Sequence, residues 1–207
     1  MAALSRSAIE IPLRSGLTLR GVNLEGGDAQ GGVIVFVHDL DRDLDEFGSL
    51  PDVLAALGSD VVVFDLPGHG LSDGDDGEPL ECVAAVREII ARYGGRRIGL
   101  VVSGRLATVA ASLGDKDGVV AQVLISPILD PAFDDGSVRT HAVRMVLHGD
   151  GPKMVGTETQ RFFSYLIGEK MLVFNSSLAE GPHMVTVVST VQAHVELFFK
   201  RYLIRSS

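Results

Sequence analysis

Tryptophan is absent from this chain, and cysteine occurs once, as Cys82. One cysteine excludes an intrachain disulfide and supplies no thiolate cluster for a metal. Positive charge is scarce: 18 Lys and Arg stand against 27 Asp and Glu, a net charge of −9. With no basic stripe to offset that excess, nucleic acid is excluded as an expected partner, and an anionic membrane surface would repel the chain too. No apolar run approaches the roughly 18 residues of a membrane helix. Met1–Ser7 lacks the apolar stretch of a secretory signal, so a cytoplasmic location is expected. Repeats, low-complexity segments and long linkers are also missing. Residues 1–207 therefore read as one domain.

What is present suits a buried core. The chain has 207 residues, 46% of them hydrophobic, inside the usual single-domain range of roughly 100–250 residues. Its 24 glycines fit many tight strand–helix turns. Ile9–Leu13 and Leu17–Leu24 alternate partially and read as an antiparallel hairpin at a sheet edge. Val33–His38, Val61–Leu66, Ile98–Ser103, Val119–Ser126, Val143–Leu147 and Lys170–Phe174 read as further strands. The β-branched runs among them match strands buried on both faces. Helical spacing spans Leu44–Leu57, Pro79–Tyr93, Leu106–Leu113, Thr157–Ile167 and Met184–Leu203. The last of these is apolar over more than one stripe. Core packing is the preferred reading of that surplus, with a homo-oligomer interface as the alternative. Strands alternating with helices at short connections predict a doubly wound, mostly parallel α/β sheet with helices on both faces. Its ligand crevice belongs at the carboxyl ends of the strands.

The residues after those strands carry a resemblance. Val63–Gly74 reads VFDLPGHGLSDG, Val33–Asp39 reads VIVFVHD, Val146–Asp150 reads VLHGD, and His183 follows Glu180-Gly-Pro. In this order the segments resemble the α/β hydrolase family over nearly the whole chain. The resemblance implies that family's fold, with His183 at the place of its catalytic histidine. Only Leu129–Ala142 separates the sixth and seventh strands, too little for a cap domain, so an open, shallow crevice is expected.

The catalytic positions depart from the family pattern. Its nucleophile elbow, G-x-S-x-G, holds a serine on a strained turn between small residues. The matching segment is Leu100-Val-Val-Ser-Gly-Arg-Leu-Ala107. One alignment puts Gly104 at the nucleophile and Arg105 after it, with Val102 and Leu106 at the small positions. Glycine adopts the disfavoured backbone angle cheaply but carries no hydroxyl. A slip of one residue would make Ser103 the nucleophile, flanked by Val101 and Arg105. The family's acid position holds Pro152; Asp150 and Asp130 are the substitutes that could orient His183. His38, Asp39 and Leu40 stand where the family places its oxyanion loop. Asp39 there replaces a glycine and opens an acidic run, Asp39 to Glu46. The spacing of Asp41, Asp43 and Asp45 lacks the Gly and Glu of a calcium loop, so no metal is expected. Helix capping and solvation are their expected roles. His69 reads as a turn residue. Cys82, near a helix start, reads as buried core rather than a lowered-pKa thiol.

Together these departures predict an α/β hydrolase-like protein without the serine nucleophile. It is expected to be non-hydrolytic and cofactor-free, binding a small molecule or protein partner in the crevice. Two enzymatic alternatives stand beside it. One is a cofactor-free lyase, cyclase or hydrolase using His183 with Asp130 or Asp150. The other is a weak esterase or thioesterase using Ser103.

Overall fold

Eight strands form one sheet whose register follows from the alternation of their side chains. The computed structural model describes residues 4–27, 31–75, 77–134, 136, 138–149, 153–176, 179 and 181–204, the side chains of 153–156 excepted. The strands are β1 Ser5–Pro12, β2 Thr18–Glu25, β3 Val33–Val37, β4 Asp60–Phe64, β5 Ile98–Ser103, β6 Val119–Ile125, β7 Val143–Gly149 and β8 Lys170–Asn175. Their order is β1-β2-β4-β3-β5-β6-β7-β8. β1 pairs antiparallel with β2, and β2 with β4; every other pairing is parallel. The fold is a doubly wound α/β sheet. The helices are α1 Leu50–Ala55, α2 Pro79–Ala91, α3 Gly104–Ala110, α4 Lys153–Tyr165, α5 Gly181–Val187 and α6 Ser189–Tyr202.

Successive residues of a strand point to opposite faces, so each central strand feeds two cores. Val33, Val35 and Val37 of β3 pack with Val86 and Ile89 of α2, Ala107 and Ala110 of α3 and Phe162 of α4. Ile34 and Phe36 pack on the other face with Leu54 of α1, Met184 of α5 and Val195 and Phe199 of α6. Full burial of such a side chain is worth about 1.5–3 kcal/mol, so this two-faced core dominates the stability. A side chain at Gly99 on β5 would meet the Phe199 ring at 2.7 Å; glycine there lets α6 lie close on the sheet.

Two expected helices are each split. Leu44–Leu57 is a 3₁₀ turn, Leu44–Phe47, followed by α1; Gly48 between them has φ +52°. Met184–Leu203 is α5 and α6, parted at Val188, whose backbone is extended. In both cases the two pieces bury side chains in the same core, so apolar spacing carried across the break. Residues 126–142 join β6 to β7, with no helix among the described ones. None of the described residues there forms a cap over the carboxyl ends of the strands. Among the described residues no helix is long and apolar enough to cross a membrane.

Candidate functional site

The loop after β3 is held from beneath by two histidines. His38 is fully buried. Its Nε2 accepts from the Leu66 N–H (3.0 Å), which leaves Nδ1 to donate to the Asp39 carbonyl at 2.7 Å. Burial lowers its pKa, so the neutral ring this bonding requires is also the favoured one. His69 lies 5.1 Å from the His38 ring and sits between the carbonyls of Pro67 and Leu40. Asp65 adds two further ties, accepting from the N–H groups of Leu44 and Leu71 (both 2.9 Å). His38 and His69 therefore shape the loop rather than face a ligand.

The strand–helix junction after β5 places its positive φ, +60°, on Gly104. Ser103 before it has ordinary extended angles, φ −109° and ψ 158°. The Ser103 hydroxyl is buried and donates to Glu46 Oε2 at 2.6 Å. Leu106 is fully buried in the α3 face of the core.

Asp39 supplies what glycine omits. Its Oδ1 accepts from the backbone N–H groups of Leu40 (2.9 Å) and Arg105 (3.0 Å). Its Oδ2 lies 1.7 Å from the point where a Cβ on residue 104 would stand. The carboxylate thus occupies the space above the junction and takes both donors that converge there. Its own N–H donates to Glu46 Oε2 (3.2 Å), so one Glu46 oxygen joins the β3 loop to β5. Burial raises the pKa of Asp39 and, against its two N–H bonds, still wins; burial raises Glu46 as well, opposed by Ser103. A raised folded-state pKa means tighter proton binding in the folded state. The stabilisation is full below the ordinary carboxylate range, about 4, and is lost as pH rises through the raised values. As pH is lowered from 7 toward that range, these two groups should contribute a rise in Tm, opposed by His38, whose lowered pKa makes the folded state lose stability as pH falls below its ordinary value. The rise should shrink in Asp39→Asn/Glu46→Gln; an unchanged pH profile in that double variant would count against this charge burial.

Above this junction opens a cavity of about 780 Å³. Asp39, Asp41, Asp43, Asp45 and Glu46 line one side, with Arg42 among them. Ser126, His148 and His183 line the other. Asp43 also caps its 3₁₀ turn, accepting from Asp45 N–H at 3.0 Å. No group of three or more His, Cys, Asp or Glu among the described residues is arranged to hold a metal ion. His183 sits on α5, exposed, and no hydrogen bond joins its ring to a carboxylate among the described residues. Asp130 is not brought to it. The Asp130 carboxylate accepts from Ala132 N–H (2.8 Å), turning its own loop, and faces a separate cavity of about 630 Å³ beside Arg105 and His69. Asp150 and Pro152 lie outside the described residues. Cys82 is buried, and burial pushes its thiol up to about 12, which leaves it unreactive at neutral pH.

Glu46, His148 and Ser126 are among the cavity residues not singled out as site residues in the sequence. Glu46 was absorbed in an acidic run. His148 is the penultimate residue of β7, buried, its ring 5.6 Å from Phe174. Ser126 directly follows β6 at φ +46°, the single described non-glycine with positive φ, and its Oγ accepts from Gly181 N–H (3.2 Å) at the start of α5. Such an angle costs about 1–3 kcal/mol. Position at the carboxyl end of a strand was the available signal for both.

Residues 34–200 match the model of the alpha/beta hydrolase family. The chain belongs to the α/β hydrolase family. Among solved structures it is similar to the α/β hydrolase GrgF from Penicillium sp. sh18, at 14% identity and a TM-score of 0.78, covering 97% of this chain and 99% of that one. The Pyrococcus furiosus esterase Pf2001 aligns at 15% identity and TM-score 0.80, covering 97% and 94%. Mouse alpha/beta hydrolase domain-containing protein 10 aligns at 14% and 0.71, covering 94% and 96%. At such identities these likenesses speak to the hydrolase fold alone. No curated protein sequence matches the chain. As an α/β hydrolase it is cap-less, with its crevice at the carboxyl ends of the strands.

Proposed function

We propose that this α/β hydrolase does no serine acyl-transfer chemistry and binds a small molecule in the crevice over Gly104. One observation carries the reading: the Asp39 carboxylate fills the side-chain space at residue 104 and occupies the two N–H donors beside it. Acyl transfer needs donors free to receive a developing oxyanion, and here they already hold an anion. A small molecule is favoured over a protein because the cavity, about 780 Å³, falls in the usual range for such ligands, roughly 300–1,000 Å³. The cytoplasm is the proposed location.

A fluorophosphonate probe and a panel of esters and thioesters test this. No labelling and no turnover are expected. His183→Ala should leave Tm unchanged, because the exposed ring holds nothing in place; surface changes of this kind stay within about 0.5 kcal/mol. The Ser103–Glu46 hydrogen bond favours a second reading, a weak esterase with Glu46 as base. Fluorophosphonate labelling of Ser103, abolished in Ser103→Ala, would establish that reading and overturn the first.

A further inference from the structure

The second cavity, of about 630 Å³, shares no lining residue with the crevice over Gly104. Leu40, Pro79, Pro131 and Ala132 give it apolar walls. His69 lines it too, but both its ring nitrogens already face carbonyls. Its two informative residues carry opposite charge. Asp130 is only 7% exposed. Its Oδ1 accepts from the Ala132 N–H (2.8 Å), while Oδ2 takes no hydrogen bond among the described residues. That oxygen is not sealed from solvent, and the cavity is what it meets. Among the described residues no Lys or Arg pairs with it. A carboxylate withdrawn from water in this way is costly until a cation compensates it. Arg105 supplies the other charge. Its guanidinium is exposed and makes no hydrogen bond or ion pair among the described residues; the bonds of Arg105 run through its main chain, to Asp39 and Thr108. Glu78, the other acid on the lining, is exposed and screened by water.

Two opposite charges that line one cavity without pairing are complementary to a ligand that carries both. An ammonium is the cation that Asp130 lacks. A carboxylate offers two oxygens to the planar fork of Arg105. The apolar walls suit a hydrocarbon side chain. We propose that this second cavity binds an α-amino acid with an apolar side chain, its ammonium on Asp130 Oδ2 and its carboxylate on Arg105. The volume, about 630 Å³, falls within the roughly 300–1,000 Å³ usual for small-molecule sites. The site does not rest on how the crevice over Gly104 is used.

Isothermal titration calorimetry of the full chain with L-leucine tests this. Saturable binding at one site per chain is expected. Isocaproate lacks the ammonium and isoamylamine lacks the carboxylate. Each should bind about tenfold more weakly or worse, the scale of one charged hydrogen bond. Glycine offers both charged groups without the side chain and should also bind more weakly than L-leucine. Arg105→Met removes the guanidinium and keeps the main-chain N–H that Asp39 uses. Asp130→Asn keeps an oxygen for the Ala132 N–H and replaces the open oxygen with a donor. Neither variant should lower Tm, and each should lose about tenfold in affinity for L-leucine or more. No saturable binding of L-leucine overturns the proposal. Equal affinity for isocaproate, isoamylamine or glycine overturns it as well. Unchanged affinity in either variant removes that residue from the site, with the same result. None of these outcomes touches the proposed function, whereas fluorophosphonate labelling of Ser103 would overturn that reading and leave this site standing.

Discussion

Gly104→Ser should destabilise the protein by roughly 3–5 kcal/mol and yield no esterase, the sum of a strained positive φ and two displaced hydrogen bonds. The new Cβ would stand 1.7 Å from Asp39 Oδ2, at φ +60°. Asp39 would have to leave, freeing the half-buried N–H of Leu40 and the exposed N–H of Arg105 at the start of α3. Its N–H bond to Glu46 would be disturbed as well. Chemical denaturation measures the loss as a shift in midpoint at constant slope. Combining Gly104→Ser with Asp39→Gly removes the collision and should recover part of the stability but not the backbone strain. A Gly104→Ser variant as stable as the parent, or one that reacts with a fluorophosphonate, would refute this account of the junction.

The second large effect lies away from the crevice. Arg144 on β7 is fully buried, and among the described residues no carboxylate pairs with it. Its guanidinium donates to Gln122 Oε1 (3.0 Å), the carbonyls of Ile167 (2.9 Å), Val138 (3.0 Å) and Ala111 (3.2 Å), and Thr140 Oγ1 (2.6 Å). Burial lowers its pKa to about 10, still well above neutrality, so the charge persists and is spread over neutral acceptors. These partners come from β6, the residues after α3, the 126–142 connection and the turn before β8. One side chain therefore joins four segments under the sheet. Arg144→Met should cost about 3–5 kcal/mol, because it strands several buried carbonyls at once. Arg144→Lys should recover little, since three donors on a flexible stem cannot reproduce a planar fork of five. A midpoint shift under ~1 kcal/mol in Arg144→Met would show that water replaces the guanidinium.

Most of the fold is legible in the sequence. Runs such as Val33–Val37 and Ile98–Ser103 state their burial in their composition, and each reappears as a strand with every residue buried. Connection lengths alone ruled out a cap. What escaped were breaks that leave apolar spacing intact: Gly48 and Val188 interrupt helices without turning their faces away from the core. The site was legible in its backbone and opaque in its side chains. A glycine at a strand–helix junction marks an unusual angle, and the positive φ falls at 104. The inward turn of Asp39 cannot be read locally, because the N–H that draws it in belongs to Arg105, 66 residues away. Asp130 had the right sequence position after β6, yet one oxygen of its carboxylate is satisfied two residues on, by Ala132. Arg144 was invisible for a similar reason. Most of its acceptors are main-chain carbonyls, which every sequence possesses.

The bare connection between β6 and β7 has a consequence in time. Enzymes that close a lid over substrate often wait on its opening, so product release sets their pace. Here the described residues of 126–142 form no helix above the strand ends, and the crevice stays open to solvent. Molecules should enter and leave on a diffusive clock, with brief residence and no slow closing step. Any turnover would then be paced by chemistry at the crevice floor, not by the movement of a gate.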